Sequence, residues 1–363
     1  MTKSDAEEAP PKKGVLPFIL IVLFLDAMGA GLILPVVPGL IKELTNMENA
    51  GAAAVAGYLL FTFAGVQFVF APVLGALSDR YGRRPVLLLA LFGFSIDYFL
   101  AAFAPTLIWL FVARAFSGLF GATFPAANAV IVDTTSQEER AKQFGLTGAA
   151  VGLGFVFGPA VGGLVGEYGT RYPFVLAGVL TMATAVYGYF AFPETLPLEK
   201  RRAFSVARAN PIGGLLSVSG LPIVPIILFS IFLMMVASQS YVSVWAFYTN
   251  EVAGWTPQQV GLSAGFYGLL MAVFQGGLTG VAVKRFGEVP AATFSLIAAL
   301  ISYFGLALAG DGATIYAFIL VGALAGFAFP AMQAMMTART PDDAQGELQG
   351  AIASLFSIAS ITG

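Results

Sequence analysis

The chain has 363 residues, 58% hydrophobic and only 10% charged, with 33 Phe, 42 Gly and a mean hydropathy of +0.84. Soluble domains carry about 25% charged residues, so the composition excludes a water-soluble fold and describes a polytopic all-α membrane protein. Without Cys or His, disulfides, thiol chemistry, zinc ligation and Ser-His or Cys-His catalysis are excluded, and proton chemistry falls to carboxylates. The net charge of -2 includes no basic stripe, so nucleic acid is not expected as a partner.

Residues 1–16 begin with the polar stretch MTKSDAEEAPPKKG and read as a disordered tail. About 20 apolar residues cross a bilayer as a helix. That rule predicts spans near 17–40, 52–76, 85–104, 107–131, 141–165 and 172–192, which make a first bundle of six over 17–192. A polar linker, 193–220, carries Glu194, Lys200, Arg201, Arg202 and Arg208 between prolines. Further spans follow near 221–247, 257–283, 291–309 and 313–337, and the last begins near 346, all within a second bundle over 221–363.

With this layout Lys and Arg gather on one side, at Arg80, Arg83, Arg84, Arg140, Lys142, the linker, Lys284, Arg285 and Arg339. The other side has only Lys42 and Arg171. Positive charge stays inside, so the N-terminus and the linker are expected on the cytoplasmic side of the cell's inner (plasma) membrane.

An internal repeat aligns without gaps. GALSDRYGRRP at 75–85 has an echo in GVAVKRFGEVP at 280–290, each residue 205 positions later. The same shift carries Tyr98 to Tyr303, Gly121 to Gly326, Gly145 to Gly350, and FPA at 124–126 to FPA at 329–331. Two parallel six-helix halves around a midplane site, the plan of many secondary transporters, explain the echoes. Gly363 then matches Gly158 in mid-helix, so the sequence reads as stopping within the fifth helix of its second half.

Two carboxylates lie deep in the apolar runs. Asp26 falls about 14 Å into span one and Asp97 about 18 Å into span three, at 1.5 Å per residue. Each costs on the order of 2.5–3.5 kcal/mol at a helix centre, so such residues default to a functional reading. They serve either as proton or cation sites or as protonated, hydrogen-bonded packing groups. Arg114, within span four, is expected to pair with a carboxylate or with carbonyls. Gln67, Asn128, Gln239, Gln275 and Gln333 either line a path or tie helices together. Span five carries Gly154, Gly158, Gly162 and Gly166 at every fourth position, with Pro159 and Gly163 beside them. This spacing makes a flat face for close helix contact, and Gly158-Pro159 is a candidate weak point.

The stretch Gly75, Asp79, Arg80, Gly82, Arg83 and Arg84 is a topology anchor on charge alone, but charge does not explain Asp79 or the fixed spacing. GALSDRYGRRP resembles the signature between helices two and three of the major facilitator superfamily. ARAFSGLFGA at 113–122 resembles that family's helix-four arginine motif, and GFVFGPAVGGLVG at 154–166 its helix-five motif of drug–proton antiporters. LDAMGAGLILPVVP at 25–38, VIVDTTSQEERAKQFG, VWAFYTNEVAGW and AQGELQG resemble tetracycline exporters.

The resemblance implies the major facilitator fold and a monomeric, proton-coupled exporter of drugs, tetracycline-like or multidrug, working by alternating access. A uniporter or importer of a sugar or other metabolite is the alternative. No cofactor is implied beyond the proton, and a divalent metal only as part of a drug chelate. The resemblance makes the 75–85 loop a cytoplasmic gate, with Asp79 holding the halves together and Arg83 balancing Asp133. It gives Arg114 a part in proton coupling and places Trp245 and Gln275 in the transport path. Tetracycline exporters often have a histidine in helix eight and an aspartate in helix nine, where this chain has Met271 and Ala299.

An intramembrane protease is the remaining class that two membrane aspartates bring to mind. Asp26 and Asp97 lack its Tyr-Asp and Gly-x-Gly-Asp settings.

Overall fold

The computed structural model describes residues 14–121, 123–135, 137–201, 223–340 and 345–362. Most of the expected tail (1–16) and of the linker (193–220) therefore lies outside the described residues. No strand occurs among the described residues. The first half comprises α1 (Val15–Ile33), α2 (Val37–Thr45), α3 (Asn49–Tyr81), α4 (Arg83–Ala102), α5 (Leu107–Leu119), α6 (Thr123–Thr134), α7 (Gln137–Gly166) and α8 (Tyr172–Ala191). The second comprises α9 (Val224–Ala253), α10 (Pro257–Met271), a π-helical turn (Ala272–Leu278), α11 (Thr279–Phe286), α12 (Glu288–Leu308), α13 (Gly312–Ala323), a 3-10 turn (Leu324–Phe327), α14 (Ala328–Thr337) and α15 (Gln345–Thr362).

Among the described residues, seven helices are long and apolar enough to cross a membrane, or up to nine if each bent pair is one span. The structure refines several predicted spans. Span one is two helices, α1 and α2, parted at Leu34–Val36. The span near 107–131 is broken between Leu119 and Thr123. Gln67 on α3 accounts for the break, since its Nε2 donates to the Gly121 carbonyl at 2.9 Å. That side chain satisfies a carbonyl freed from the helix ladder, which hydrocarbon would otherwise leave unpaired. The bends in the second half amount to 48° within α9 and 42° at the π-helical turn.

Helix starts follow their local chemistry. Thr256 and Gln259 form a reciprocal capping box at α10. The Asp311 carboxylate accepts from the Thr314 backbone N–H at 2.9 Å and caps α13.

The repeat is visible in the backbone. Gly82 closes α3 at φ 109°, and Gly287, 205 residues later, closes α11 at φ 89°. Both lie in the region that side chains rarely adopt. Arg80 over the Tyr81 ring is matched by Arg285 over Phe286. The break at Gly121 is matched by the 3-10 turn that contains Gly326.

Separate buried apolar clusters hold the halves. In the first, Leu32, Leu40, Ile41, Ala101, Ala113 and Phe174 pack around α1–α5 and α8. In the second, Val224, Ile231, Met332, Met336 and Leu348 pack around α9, α14 and α15. Phe247 of α9 joins the first-half cluster, and Leu34 packs on a second-half cluster.

Candidate functional site

The apolar face of α4 buries Asp97 to 1% exposure against α5. There the Arg114 guanidinium donates to Asp97 Oδ2 at 2.5 Å, while Oδ1 is buried without a hydrogen-bond partner. Asp97 is thus paired on one oxygen and open on the other.

Asp26 has no ion pair among the described residues. It shares a face of α1 with Gly29, three residues on. The Tyr98 hydroxyl lies against Gly29, 2.6 Å from where a Cβ would stand. Tyr98 follows Asp97 on α4 and reaches the α1 face that carries Asp26, so the two helices bring both carboxylates toward one tyrosine.

Among the described residues, the second half has no such buried ion pair. Ser302 stands 205 residues after Asp97, and its hydroxyl donates to the Phe318 carbonyl at 2.8 Å across α12 and α13. Around it stand aromatic rings. Tyr241 stacks on Tyr267 at 5.3 Å and 10°, and lies 5.4 Å from both Tyr303 and Trp245. Trp245 is buried, its Nε1 donating to Ser263 Oγ at 3.0 Å.

Gln275 lies exposed in the π-helical turn, with Met271 at the end of α10 just before it. Both approach Gly326. Asn128 on α6 leaves its Oδ1 buried without a partner.

At the end of the bundle that carries Arg80, Arg83 bridges two carboxylates. It donates to Asp79 Oδ1 at 2.7 Å and to Asp133 Oδ2 at 2.8 Å. Asp79 is 45% exposed in its side chain, and α15 packs against α3. Gly75 faces open space.

Sequence reasoning passed over Glu194 as a linker charge. Its carboxylate accepts from the backbone N–H groups of Arg83 (2.9 Å), Arg84 (3.3 Å), Thr195 (3.0 Å) and Leu196 (2.9 Å). A carboxylate at a helix N-terminus satisfies orphan donors and complements the dipole. Any side chain at Gly82 would strike Glu194. The one available signal was a lone acid immediately after span six.

The glycines of α7 serve two faces. Cβ atoms at Gly154, Gly158 and Gly162 would meet the backbone of α1, and one at Gly163 the backbone of α10. Gly261 of α10 meets the Pro159 carbonyl in return. So α7 is clamped between the halves, and the helix runs unbroken through Pro159. The spacing of Gly261, Gly265 and Gly268 was the unread signal for the second face.

At the opposite end of the bundle the halves meet through polar groups. Lys42 Nζ donates to Asn250 Oδ1 at 3.4 Å, and Asn49 Nδ2 donates to Asn250 and to the Glu251 carboxylate. The Gln258 N–H donates to Glu167 Oε1 at 3.1 Å. Nearby, the Thr170 hydroxyl above all, with the Arg171 guanidinium, holds the Glu43 carboxyl below its ordinary 4.5 against the opposing effect of burial. Among the described residues, the ion pairs at the Arg83 end all lie within the first half.

The sequence profile described as Major Facilitator Superfamily matches residues 19–363. The chain is 39% identical over 345 residues to "Tetracycline resistance protein, class C" of Escherichia coli, covering 95% of this chain and 86% of that one. It is 29% identical over 360 residues to "Multidrug resistance protein 2" of Bacillus subtilis (strain 168), covering 98% and 86%.

Two solved structures share the fold. One is the human organic anion transporter MFSD10, with TM-score 0.72, 22% identity, and 98% and 92% coverage. The other is an inward-facing, occupied bacterial homolog of the lysosomal transporter Spinster, with TM-score 0.76, 16% identity, and 98% and 80% coverage.

Proposed function

The chain belongs to the major facilitator superfamily of membrane transporters, and on that premise we propose that it exports a drug in exchange for protons. The observation that carries this reading is the buried Asp97–Arg114 pair with one open carboxylate oxygen. An unpaired charge at a helix centre costs on the order of 2.5–3.5 kcal/mol. Ionised Asp97 therefore holds Arg114, and a proton on Asp97 releases it. Asp26, on the α1 face that Tyr98 reaches, is the second proton or cation site.

The second half, in which no buried ion pair stands beside the aromatic rings among the described residues, supplies the drug wall in this reading. The partly exposed rings of Tyr241, Tyr267 and Tyr303 offer edges and faces for a planar or cationic drug, backed by the buried Trp245. Gln275 supplies a polar contact from its exposed turn, and Asn128 an open acceptor. With Met271 and Ala299 where tetracycline exporters often place polar groups, a metal–drug chelate is not required as cargo. The relatives' names, which refer to tetracycline and to multidrug resistance, support a drug as the cargo class.

We assign the gate to Asp79, Arg80, Arg83, Arg84 and Asp133, with Gly75 and Gly82 shaping its turn, on the cytoplasmic side of the inner membrane. The Pro159 and Gly163 face of α7, set against Gly261 of α10, is the bearing on which the halves rock, while Gly154, Gly158 and Gly162 hold α7 to α1. The protein acts as a monomer.

Expression in a strain stripped of its own exporters, followed by a drug-susceptibility panel, tests this reading. Tolerance to at least one drug, lost with a protonophore, is expected. Tolerance that persists when the gradient is collapsed would overturn proton coupling.

The polar contacts far from Arg83 form the outer gate in this account, closed in this structure. The chain has no cysteine, so Asn49→Cys with Glu251→Cys is a clean probe. The disulfide is expected to arrest transport and reduction to restore it. Full transport by the cross-linked protein would show that this contact does not open.

A further inference from the structure

A groove of about 690 Å³ runs between the start of α4 and the end of α8, away from the Asp97 site. Its walls are Leu88, Leu89, Phe92, Met182 and Val186, and its mouth holds Arg84, Tyr189, Glu194 and Arg201. Leu89, Phe92, Val186 and Tyr189 are among the large apolar side chains exposed on the surface of this membrane protein, so the groove opens to hydrocarbon.

The two arginines are only partly used. Arg84 donates through Nη2 to the Tyr189 carbonyl at 2.5 Å and lies over the Tyr189 ring, 5.7 Å from its centroid. Arg201 approaches Glu194 at 3.8 Å. Both Nε atoms are buried without a hydrogen-bond partner. A buried charged donor left unmade is costly.

Arg83, one residue away, is by contrast paired with two carboxylates, those of Asp79 and Asp133. Glu194 is occupied by four backbone N–H groups. The mouth therefore carries net positive charge and open guanidinium donors, directly above an apolar channel that faces lipid.

We propose that this groove holds one anionic phospholipid. Its phosphate sits between Arg84 and Arg201, which match a phosphate's acceptor geometry better than lysines would. One acyl chain lies along Leu88, Phe92, Met182 and Val186. The occupant is a lipid and not free phosphate, because the apolar walls continue the charged mouth into the hydrocarbon. Basic pockets between membrane helices take anionic headgroups by this combination of charge and apolar wall.

The test uses the whole chain reconstituted in vesicles, with Phe92→Trp as a reporter inside the groove. Phosphatidylglycerol or phosphatidylcholine brominated on the acyl chains quenches a tryptophan that an acyl chain touches, which inorganic phosphate cannot do. The signal of the chain without the reporter is subtracted. Brominated phosphatidylglycerol is expected to win the site by on the order of five-fold over phosphatidylcholine, the weight of a basic residue facing an anionic lipid.

Arg84→Gln with Arg201→Gln should bring that ratio to about one, and Arg84→Lys with Arg201→Lys should keep most of it. Should the double glutamine change prevent insertion, Arg201→Gln alone, which leaves the α4 cap untouched, must at least halve the ratio. Equal quenching by the two lipids, no quenching by either, or a preference that survives loss of the arginine charge overturns the proposal.

Discussion

Asp97→Asn abolishes gradient-driven drug export while protein level and membrane insertion stay near normal: this is the largest functional effect expected of any single substitution here. Asparagine keeps the size of the side chain and can still accept from Arg114, so the α4–α5 contact survives. It cannot carry a proton, and no histidine exists to replace it. Asp97→Glu should retain part of the activity, because it restores a titratable group with one extra methylene. Asp26→Asn should be milder, since Asp26 holds no arginine. Drug accumulation in energised everted vesicles, measured beside an immunoblot, checks all three. Export by Asp97→Asn that still collapses with the gradient would move the proton site to Asp26.

The largest structural effect is expected at Gly162. A Cβ there would stand 2.1 Å from the Leu32 backbone carbonyl oxygen, and backbone cannot step aside as a side chain can. Overpacking a tight contact costs about 1–3 kcal/mol, and Gly162→Leu must drive α1 and α7 apart. Gly152→Leu, on the same helix but facing open space, is the control. Thermal unfolding of the two purified variants should separate them clearly, with Gly162→Leu melting lower or failing to insert. Equal melting of the two would mean that α1 and α7 are not in backbone contact.

Much of this architecture was legible because membrane helices announce themselves by length and hydropathy. The repeat was legible through glycines whose backbone geometry tolerates no other residue, as Gly82 and Gly287 show. Less visible were the interruptions. Gly121 and Pro125 flank the break near Phe120 and were passed over as its signal, while the group that satisfies it, Gln67, comes from another helix. The π-helical turn at Ala272–Leu278 carries the pair Gly276-Gly277, a kink signal that was likewise passed over.

At the candidate site, sequence placed Asp26, Asp97 and Arg114 at depth but left Arg114's partner open between a carboxylate and carbonyls. Choosing required the angular positions of α4 and α5. Glu194 was missed for the same reason. Its role depends on a helix start more than 100 residues earlier in the chain, a distance no local pattern spans.

The most direct test of the account is whether drug and proton move in opposite directions through this chain. Everted vesicles carrying the protein are acidified inside by respiration, and the internal pH is followed while drug is added. Exchange predicts that drug triggers an outflow of protons, seen as a rise in internal pH, and that Asp97→Asn removes the response. Drug uptake with no accompanying proton movement, or an unchanged response in Asp97→Asn, would contradict the account.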